Sequence, residues 1–321
     1  MLPTLDDIRA AATAIEGAAI RTPLLRLDAT DERLTGEGLE VYLKLENLQP
    51  IGAFKIRGAA NVMARMSPAD LERGVVTASA GNMAQGVAWQ ARRLGVPCTV
   101  ICPESAPETK IQAIEKLGAR VLRVTYEEWW SAFERRSHPG VQGTFVHAFD
   151  DPLVMAGNGT IALEILEDLP DVDAILTPWG GGGLTCGVAA AVRELKPGCR
   201  VYAAEVAGAA PLAAALDAGS PQVIDYEPSF VDGIGSKTVF PQMFERARRL
   251  VAGSLVAEVA EVSEALLLML ERNHTLAEGA GAAPVASALA GRAGRGKIAC
   301  VVSGGNIDLD ELVELVEQRG V

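Results

Sequence analysis

The feature that most constrains the fold is an alternation of short strand-like runs with helix-length segments along most of the chain. The run from Leu39 to Leu45 is typical, because Val41, Leu43 and Leu45 alternate onto one face of an extended segment. From residue 58 onward, such runs are separated by segments long enough for a helix. Strands joined by helices form βαβ units, and these units build mainly parallel sheets. We therefore predict an α/β fold.

The boundaries of the remaining elements follow from apolar periodicity and from capping residues. Thr4 and Asp7 predict the start of a helix that runs to about Ala19. Further strands are predicted at 75–78, 98–101, 120–124, 173–177, 200–205 and 297–302, and further helices at 83–94, 108–117, 187–195, 263–273 and 309–319.

Three polar, glycine-marked runs come directly after predicted strands, at 79–86, 180–184 and 303–306. In parallel sheets, ligands bind in the loops that follow the carboxyl ends of the strands. We therefore expect these runs to meet at one crevice although they lie far apart in the sequence.

The run Gly180 to Gly183 is an anion-binding loop in the favoured interpretation. Residues without a Cβ allow backbone N–H groups to curl around a phosphate, and the next helix points its positive end at that phosphate. The run matches neither a Walker loop nor the dinucleotide fingerprint. The alternative is a tight strand–helix turn that holds no ligand.

Lys55 follows an aromatic residue, Phe54, and precedes the small residues Gly58 and Ala59. Most lysines place their amine at the protein surface. A buried lysine, however, has a lowered pKa and can serve as nucleophile and base. An amine beside an aromatic ring, together with a phosphate loop, supplies the parts that hold pyridoxal 5'-phosphate (PLP).

The ordered motifs 53–59, 79–82, 180–183 and 303–306 resemble those of the fold-type II PLP enzymes, in the threonine dehydratase and serine racemase branch. The resemblance extends from Arg21 to Asn306, nearly the whole chain. It implies a tryptophan-synthase-β-like architecture with two three-layer αβα domains and mainly parallel sheets. The large domain would comprise 1–66 and 150–321, and the small, mobile domain on the substrate side would be 67–149.

The resemblance also assigns roles to residues of this chain. Lys55 resembles the catalytic lysine that forms a Schiff base with the cofactor. The other cofactor-binding residues that it implies are Phe54, Asn82, Gly180, Gly181, Gly182, Gly183, Leu184, Glu278 and Ser303. The loop that resembles the one binding the substrate carboxylate consists of Ser79, Ala80, Gly81, Asn82 and Met83. For Glu278, a buried carboxylate that caps a helix is the alternative interpretation.

The activity implied by the resemblance is α,β-elimination: a β-hydroxy amino acid becomes a 2-oxo acid and ammonia. Ser303 favours this reaction, because a neutral hydroxyl cannot keep a proton on the pyridine nitrogen as a carboxylate would. Racemases of this branch carry a serine where this chain has Ala80, which has no proton to return to the substrate. An amino-acid racemase with side elimination is the second hypothesis. A non-catalytic Rossmann-type protein that binds an anion or nucleotide is the third.

The substrate side chain is less constrained than the reaction. Met83 stands where dehydratases of the family usually have histidine, which suggests a more apolar pocket or a neutral change at a helix start. Phe149, Trp129 and Trp130 are expected in the same region, although paired tryptophans often only pack a helix. Threonine, serine, phenylserine, 3-hydroxyaspartate and a hydroxyectoine-derived amino acid all fit these residues.

The family's divalent-cation site resembles Glu205 and the carbonyl of Ala209 here. Pro211 falls where a second carboxylate is expected, and hard cations need several oxygen ligands. The residues therefore do not support a metal ion, and Glu205 and Ala209 remain weak candidates. The resemblance also implies a homodimer. The chain ends fifteen residues after Asn306, where biosynthetic members continue into a regulatory domain, so we expect no feedback by isoleucine and a catabolic role.

Composition and charge argue against several other classes of protein. A formal net charge of -12 disfavours nucleic-acid binding. No run is apolar for long enough to cross a membrane, and the N-terminus resembles no export signal. The five cysteines show no zinc or redox spacing and are expected to be buried thiols in a reducing cytoplasm.

Overall fold

A computed structural model describes residues 1–27 and 38–319. Its strands, in chain order, are β1 (Leu24–Arg26), β2 (Leu39–Leu45), β3 (Val75–Ala78), β4 (Cys98–Pro103), β5 (Arg120–Val124), β6 (Thr144–Phe145), β7 (Ala174–Pro178), β8 (Arg200–Val206), β9 (Gly253–Ala257) and β10 (Gly296–Val302).

The helices of the described residues, in chain order, are α1 (Leu5–Ala14), α2 (Lys55–Ala64), α3 (Pro68–Glu72), α4 (Asn82–Leu94), α5 (Glu108–Lys116), α6 (Tyr126–Arg135), α7 (Pro152–Asp168), α8 (Gly183–Leu195), α9 (Pro211–Ala218), α10 (Pro241–Ala247), α11 (Val259–Asn273), α12 (Gly279–Leu289) and α13 (Leu309–Gln318). Short 3-10 turns lie at Glu46–Leu48 and Asp232–Ile234.

The strands of the described residues form two sheets. The larger has the order β1-β2-β10-β7-β8-β9, and the smaller, built from residues between 75 and 145, has the order β5-β4-β3-β6. Strand β1 pairs with β2 in antiparallel fashion, and the other pairings are parallel. The predicted α/β fold with mainly parallel sheets is confirmed.

Both sheets are covered by helices on each face, because their strands alternate apolar side chains between the two sides. On the large sheet, Leu43 packs on the side of α11 to α13, whereas Val301 packs on the side of α1, α7 and α8. On the small sheet, Val100 faces α4 and α5, and Ile101 faces α6. Each sheet is therefore the middle of three layers.

Sheet order explains how distant motifs meet. Strands β2, β10 and β7 are neighbours and parallel, so their carboxyl ends lie at one edge of the sheet. Lys55 follows β2, and Ser303 follows β10. The tetraglycine, Gly180 to Gly183, follows β7. The N–H of Phe54 donates to the carbonyl of Ser303 at 2.9 Å, which ties two of these loops together.

The predicted strands lie within about two residues of the observed ones. Helix α1 is shorter than predicted. It starts at the capping box of Thr4 and Asp7 but ends at Ala14, and Gly17 then turns the chain with φ +70°. Helix α8 begins inside the tetraglycine, at Gly183, rather than at residue 187.

Apolar periodicity did not predict helices α2 and α7. Glycines in both helices obscure the apolar pattern because they serve close packing instead. A Cβ at Gly157 of α7 would overlap the carbonyl of Arg57 in α2, and one at Gly58 would lie 2.9 Å from Val154. The two helices therefore approach each other more closely than residues with side chains would allow.

All five cysteines fall within the described residues, where they are free and buried. Among the helices of residues 1–27 and 38–319, we find none with the length and apolar character needed to cross a bilayer.

Candidate active site

Lys55 is the first residue of α2, and its amine lies in an enclosed, apolar setting. Nζ donates to the carbonyl of Ala148 at 3.1 Å and lies 5.1 Å from the centre of the Phe54 ring. Burial lowers the pKa of Lys55 from 10.5 to about 8, although the carboxylate of Glu278 acts in the opposite direction. About a tenth of this amine is therefore neutral at pH 7, far more than for an ordinary lysine, and the neutral form can act as nucleophile or base.

The tetraglycine forms a cradle at the start of α8. Gly182 has φ +85°, and a Cβ on it would overlap the ring of Trp179. A Cβ at Gly181 would overlap the ring of Phe149, and one at Gly183 would lie 2.8 Å from the Phe149 backbone. Only glycine fits such close approaches, so the loop is built around backbone N–H groups rather than side chains.

Several predicted site residues stand at helix starts. Helices α2, α4, α8 and α12 begin directly after Phe54, Gly81, Gly182 and Glu278, and in the described part of the chain these starts receive no side-chain cap. The first N–H groups of a helix lack partners within it, and the helix dipole makes that end positive. Two of these helices, α4 and α8, start in the loops predicted to bind a carboxylate and a phosphate.

Asn82 and Glu278 are brought together across the two sheets. The Asn82 Nδ2 donates to both carboxylate oxygens of Glu278, at 2.8 and 3.1 Å, and its Oδ1 accepts from Asn306 Nδ2 at 2.8 Å. Burial raises the pKa of Glu278 to about 7, against the opposing hydrogen bond from Asn82. The backbone N–H of Glu278 also donates to Gly304 at 2.9 Å, next to Ser303.

The loop predicted to hold the substrate follows β3 of the small sheet. The N–H of Gly81 donates to Ser79 Oγ at 3.2 Å, which shapes the turn before α4. Ala80 is partly buried at this turn. The side chain of Met83 is 2% exposed and packs with Val62 and Ala84 in the core between α2 and α4.

An aromatic cluster lies between the small sheet and the tetraglycine. Phe149, which covers Gly181, stands with its ring centre 5.5 Å from that of Phe133 and 5.3 Å from that of Phe240. Trp130 stacks 5.9 Å from Phe133, and Trp129 stacks against the same ring at 6.0 Å. The two tryptophans therefore belong to the packing of α6, and Phe149 is the member of the cluster that contacts the glycine cradle.

A buried charge network beneath α2 was not predicted. The guanidinium of Arg57 donates to both oxygens of Glu46 at 2.8 Å and to both oxygens of Glu164 at 2.6 and 2.9 Å. Lys44 Nζ lies 2.5 Å from Glu164. The network fastens the start of α2, and hence Lys55, to β2 and α7. Arg57 stood within a recognised motif, but the residues that it contacts lie up to 107 positions away in the sequence.

The residues considered for a metal ion make other contacts. Glu205 is buried, and its carboxylate accepts from the N–H groups of Leu212 and Ala213 at 2.8 Å and from Ser254 Oγ at 2.6 Å. Ala209 lies in the tight turn that follows β8, where its N–H donates to the carbonyl of Val206; its carbonyl, the predicted ligand, is not part of this bond. Within residues 1–27 and 38–319 there is no group of three or more His, Cys, Asp or Glu side chains suited to a cation.

The donor set fits a phosphorylated aromatic aldehyde. The cradle suits a phosphate, the amine of Lys55 suits an aldehyde, and the Phe54 ring suits a flat heterocycle beside that amine. The sequence motifs predicted this set, and the structure adds the carbonyl of Ala148, which lies outside the quoted motifs.

Comparison with known proteins agrees with this geometry. Over 306 residues, the chain is 44% identical to an L-threonine ammonia-lyase of Geobacter sulfurreducens, covering 94% of this chain and 75% of the relative. The fold matches maize serine racemase with a TM-score of 0.90 and 29% identity, over 99% of this chain and 98% of that one. It matches threonine deaminase isoform 2 of Solanum lycopersicum with a TM-score of 0.87 and 29% identity, over 99% and 90%.

These solved structures confirm the fold-type II architecture, and they argue against a non-catalytic Rossmann-type binding protein. The family model described as "Pyridoxal-phosphate dependent enzyme" matches residues 15–304, which contain Lys55, the tetraglycine and Ser303. The chain therefore belongs to the family of pyridoxal-phosphate-dependent enzymes.

Proposed function

We propose that this protein is a PLP-dependent ammonia-lyase that converts L-threonine, and with it L-serine or a bulkier β-hydroxy amino acid, to a 2-oxo acid and ammonia. The observation that carries the proposal is the amine of Lys55, which donates to the carbonyl of Ala148 and has its pKa lowered to about 8. The next residue, Phe149, covers the glycine cradle. The relative that is 44% identical bears the name L-threonine ammonia-lyase, which supports threonine as the first substrate to test.

The cofactor would be held by residues from several loops. In this proposal, the N–H groups of Gly180 to Gly183 and Leu184 would hold the phosphate, and the Phe54 ring would pack against the cofactor ring. Asn82 and Ser303 would supply polar contacts to the hydroxyl and the nitrogen of that ring, and Glu278 would orient Asn82. Bound there, PLP supplies an electron sink for the pair that remains when the α-proton leaves a substrate.

The protein's own groups then bind the substrate and move its protons. The turn from Ser79 to Met83, at the start of α4, takes the carboxylate on free helix N–H groups. Lys55 Nζ, in its neutral form, accepts the proton from the substrate α-carbon. The neutral hydroxyl of Ser303 leaves the ring nitrogen without a fixed proton, which favours loss of the β-hydroxyl over transamination.

Ala80 is the reason to prefer elimination over racemisation. A racemase must return a proton to the face opposite Lys55, and an alanine has none to give. Structural similarity to maize serine racemase keeps racemisation as the second candidate function.

We further propose that residues 67–149 form a small domain that closes over the substrate, while 1–66 and 150–321 form the large domain. The separate sheet built from residues between 75 and 145 supports this division. Lys110 of α5, within this segment, forms an ion pair of 2.5 Å with Asp232, which lies in the proposed large domain. We also propose a homodimer in the cytoplasm, where the five buried free thiols would stay reduced.

The decisive experiment measures 2-oxo acid formation from L-threonine, L-serine, 3-hydroxyaspartate and phenylserine, with chiral analysis of recovered serine. We expect 2-oxobutanoate from L-threonine and little D-serine, and we expect Ala80→Ser to raise the share of D-serine. Dominant D-serine from the unmodified protein would identify a racemase. Failure to release any 2-oxo acid, from protein that binds PLP, would refute the proposed lyase activity. Light scattering of the purified protein tests the dimer.

A further inference from the structure

The inference concerns Phe149 and rests on the proposed function. Phe149 directly follows Ala148, whose carbonyl accepts from Lys55 Nζ at 3.1 Å. Its ring covers Gly181 so closely that a Cβ there would overlap it, and its backbone lies against Gly183. Residues 148 and 149 therefore span the distance from the reactive amine to the phosphate cradle.

A substrate side chain must pass near this segment. Lys55 Nζ takes the proton from the substrate α-carbon in the proposed reaction, so that carbon lies within reach of Nζ. The β-substituent is attached one bond further on and has to share the space bordered by Ala148 and Phe149. The ring of Phe149 is partly exposed, so it has a face that the surrounding core does not cover.

The ring has little freedom to move aside. It meets His147 edge-on at 4.8 Å and Phe240 edge-on at 5.3 Å, and it lies 5.5 Å from Phe133. The backbone is fixed as well, because the N–H groups of Phe149 and Asp150 both donate to Nδ1 of His147, at 3.2 and 2.9 Å. Burial lowers the pKa of His147 to about 3, so the imidazole stays neutral and remains an acceptor.

We propose that Phe149 is the residue that limits the size of the β-substituent, so that hydrogen and methyl groups are accepted and a phenyl group is excluded. A rigid apolar wall discriminates by volume, and each extra carbon that it must accommodate costs rate through poorer transition-state binding. This narrows the proposed function: L-serine and L-threonine are substrates of the unmodified protein, and phenylserine, a bulkier candidate, is a substrate only of an enlarged site.

The test compares kcat/KM for L-threonine and L-threo-phenylserine in the holoenzyme and in Phe149→Ala, Phe149→Leu and Phe133→Leu. Phe133→Leu is the matched control, because Phe133 belongs to the same cluster and packs against Phe149. We expect the phenylserine-to-threonine ratio to rise about tenfold or more in Phe149→Ala and less in Phe149→Leu. In Phe133→Leu, we expect a smaller rise than in Phe149→Ala, because the ring of Phe149 remains and has lost only one of its supports.

A second readout does not depend on turnover. Binding of L-phenylalanine and of L-2-aminobutanoate, which have no β-hydroxyl to lose, is followed by the absorbance of the cofactor. We expect Phe149→Ala to gain affinity for L-phenylalanine relative to L-2-aminobutanoate. Should Phe149→Ala fail to fold, Phe149→Leu gives the same sign in both measurements.

Unchanged ratios in both Phe149 variants, or an equal rise in Phe133→Leu, would overturn the assignment. If the unmodified protein eliminates none of the substrates, the proposed function fails, and the binding series alone then decides whether Phe149 is the wall.

Discussion

Lys44, which is buried, and Lys55, which is partly buried, lie on neighbouring stretches of chain and differ in what surrounds their amines. Lys44 Nζ lies 2.5 Å from the carboxylate of Glu164 and donates to the carbonyl of Thr22 at 2.6 Å. Lys55 Nζ donates to the carbonyl of Ala148, and within the described residues it has no carboxylate at ion-pair distance.

The comparison separates a structural cation from a reactive amine. Burial lowers the pKa of both lysines, but Glu164 and then Glu46 raise that of Lys44 again. Lys55 has no carboxylate at ion-pair distance among the described residues, and the charge of Glu278 offsets burial only in part, so its pKa falls to about 8. Lys44 pairs with a carboxylate, which suits a structural role. Lys55 has a neutral carbonyl as its partner, which suits an amine that must lose its proton.

The largest effect is expected on activity, from Lys55→Ala. Removal of the amine takes away both the covalent attachment and the base, so kcat should fall by about a thousandfold or more. Borohydride reduction followed by peptide mass spectrometry should find PLP fixed on Lys55 in the unmodified protein. Lys116→Ala, an exposed lysine on α5, is the control and should behave as the unmodified protein. Label on another lysine would contradict the assignment.

The next effect is on stability, from Arg57→Met. This change leaves Glu46 and Glu164 buried without their guanidinium partner, and the free energy of unfolding should fall by about 3–5 kcal/mol. Denaturant unfolding measures it. Because the residues act as one network, adding Glu46→Leu should recover part of the loss. If the two losses simply add, the network is not coupled.

A smaller effect is expected on the pH dependence of cofactor attachment. Only the neutral amine can bond the aldehyde, so the rate at which apoprotein takes up PLP should rise with pH, with a midpoint near 8 rather than 10.5. The negative charge of Glu278 raises the pKa of Lys55, so Glu278→Gln should move the midpoint to lower pH. Glu115→Gln, on an exposed part of α5, should leave it in place. A midpoint above 10 would mean that burial does not tune Lys55.

The smallest effect is expected on stability, from replacement of Asn158, a buried polar side chain. Both of its amide atoms are buried and lack a hydrogen-bond partner among the described residues. If burial stabilises a polar group only when partners are present, Asn158→Leu should raise the free energy of unfolding by about 1 kcal/mol. Thermal and denaturant unfolding measure this. A loss of similar size would show that the amide has a partner in solution.

Much of the site was predictable because its chemistry is local. Glycines without side chains mark the cradle at 180–183, and Lys55 beside Phe54 marks the amine, whatever lies elsewhere in the chain. Apolar alternation likewise predicted seven strands, β2, β3, β4, β5, β7, β8 and β10, to within about two residues. It did not predict β1, β6 and β9, which lie at sheet edges. Helices α2 and α7 were not predicted, because Gly58 and Gly157 serve the contact between two helices, which is not a property of either segment alone.

The sequence by itself determined which groups are available: an amine, a glycine loop, a hydroxyl at residue 303 and an alanine where a racemase needs a proton donor. Tertiary structure decided how reactive the amine is, because Ala148, its hydrogen-bond partner, lies 93 positions away and arrives only through packing. It also decided that Lys44 pairs with Glu164, whereas Lys55 has no carboxylate at ion-pair distance among the described residues. The physical reason is that a lysine's pKa depends on the burial and charges around its nitrogen, and these exist only after the sheets and helices have come together.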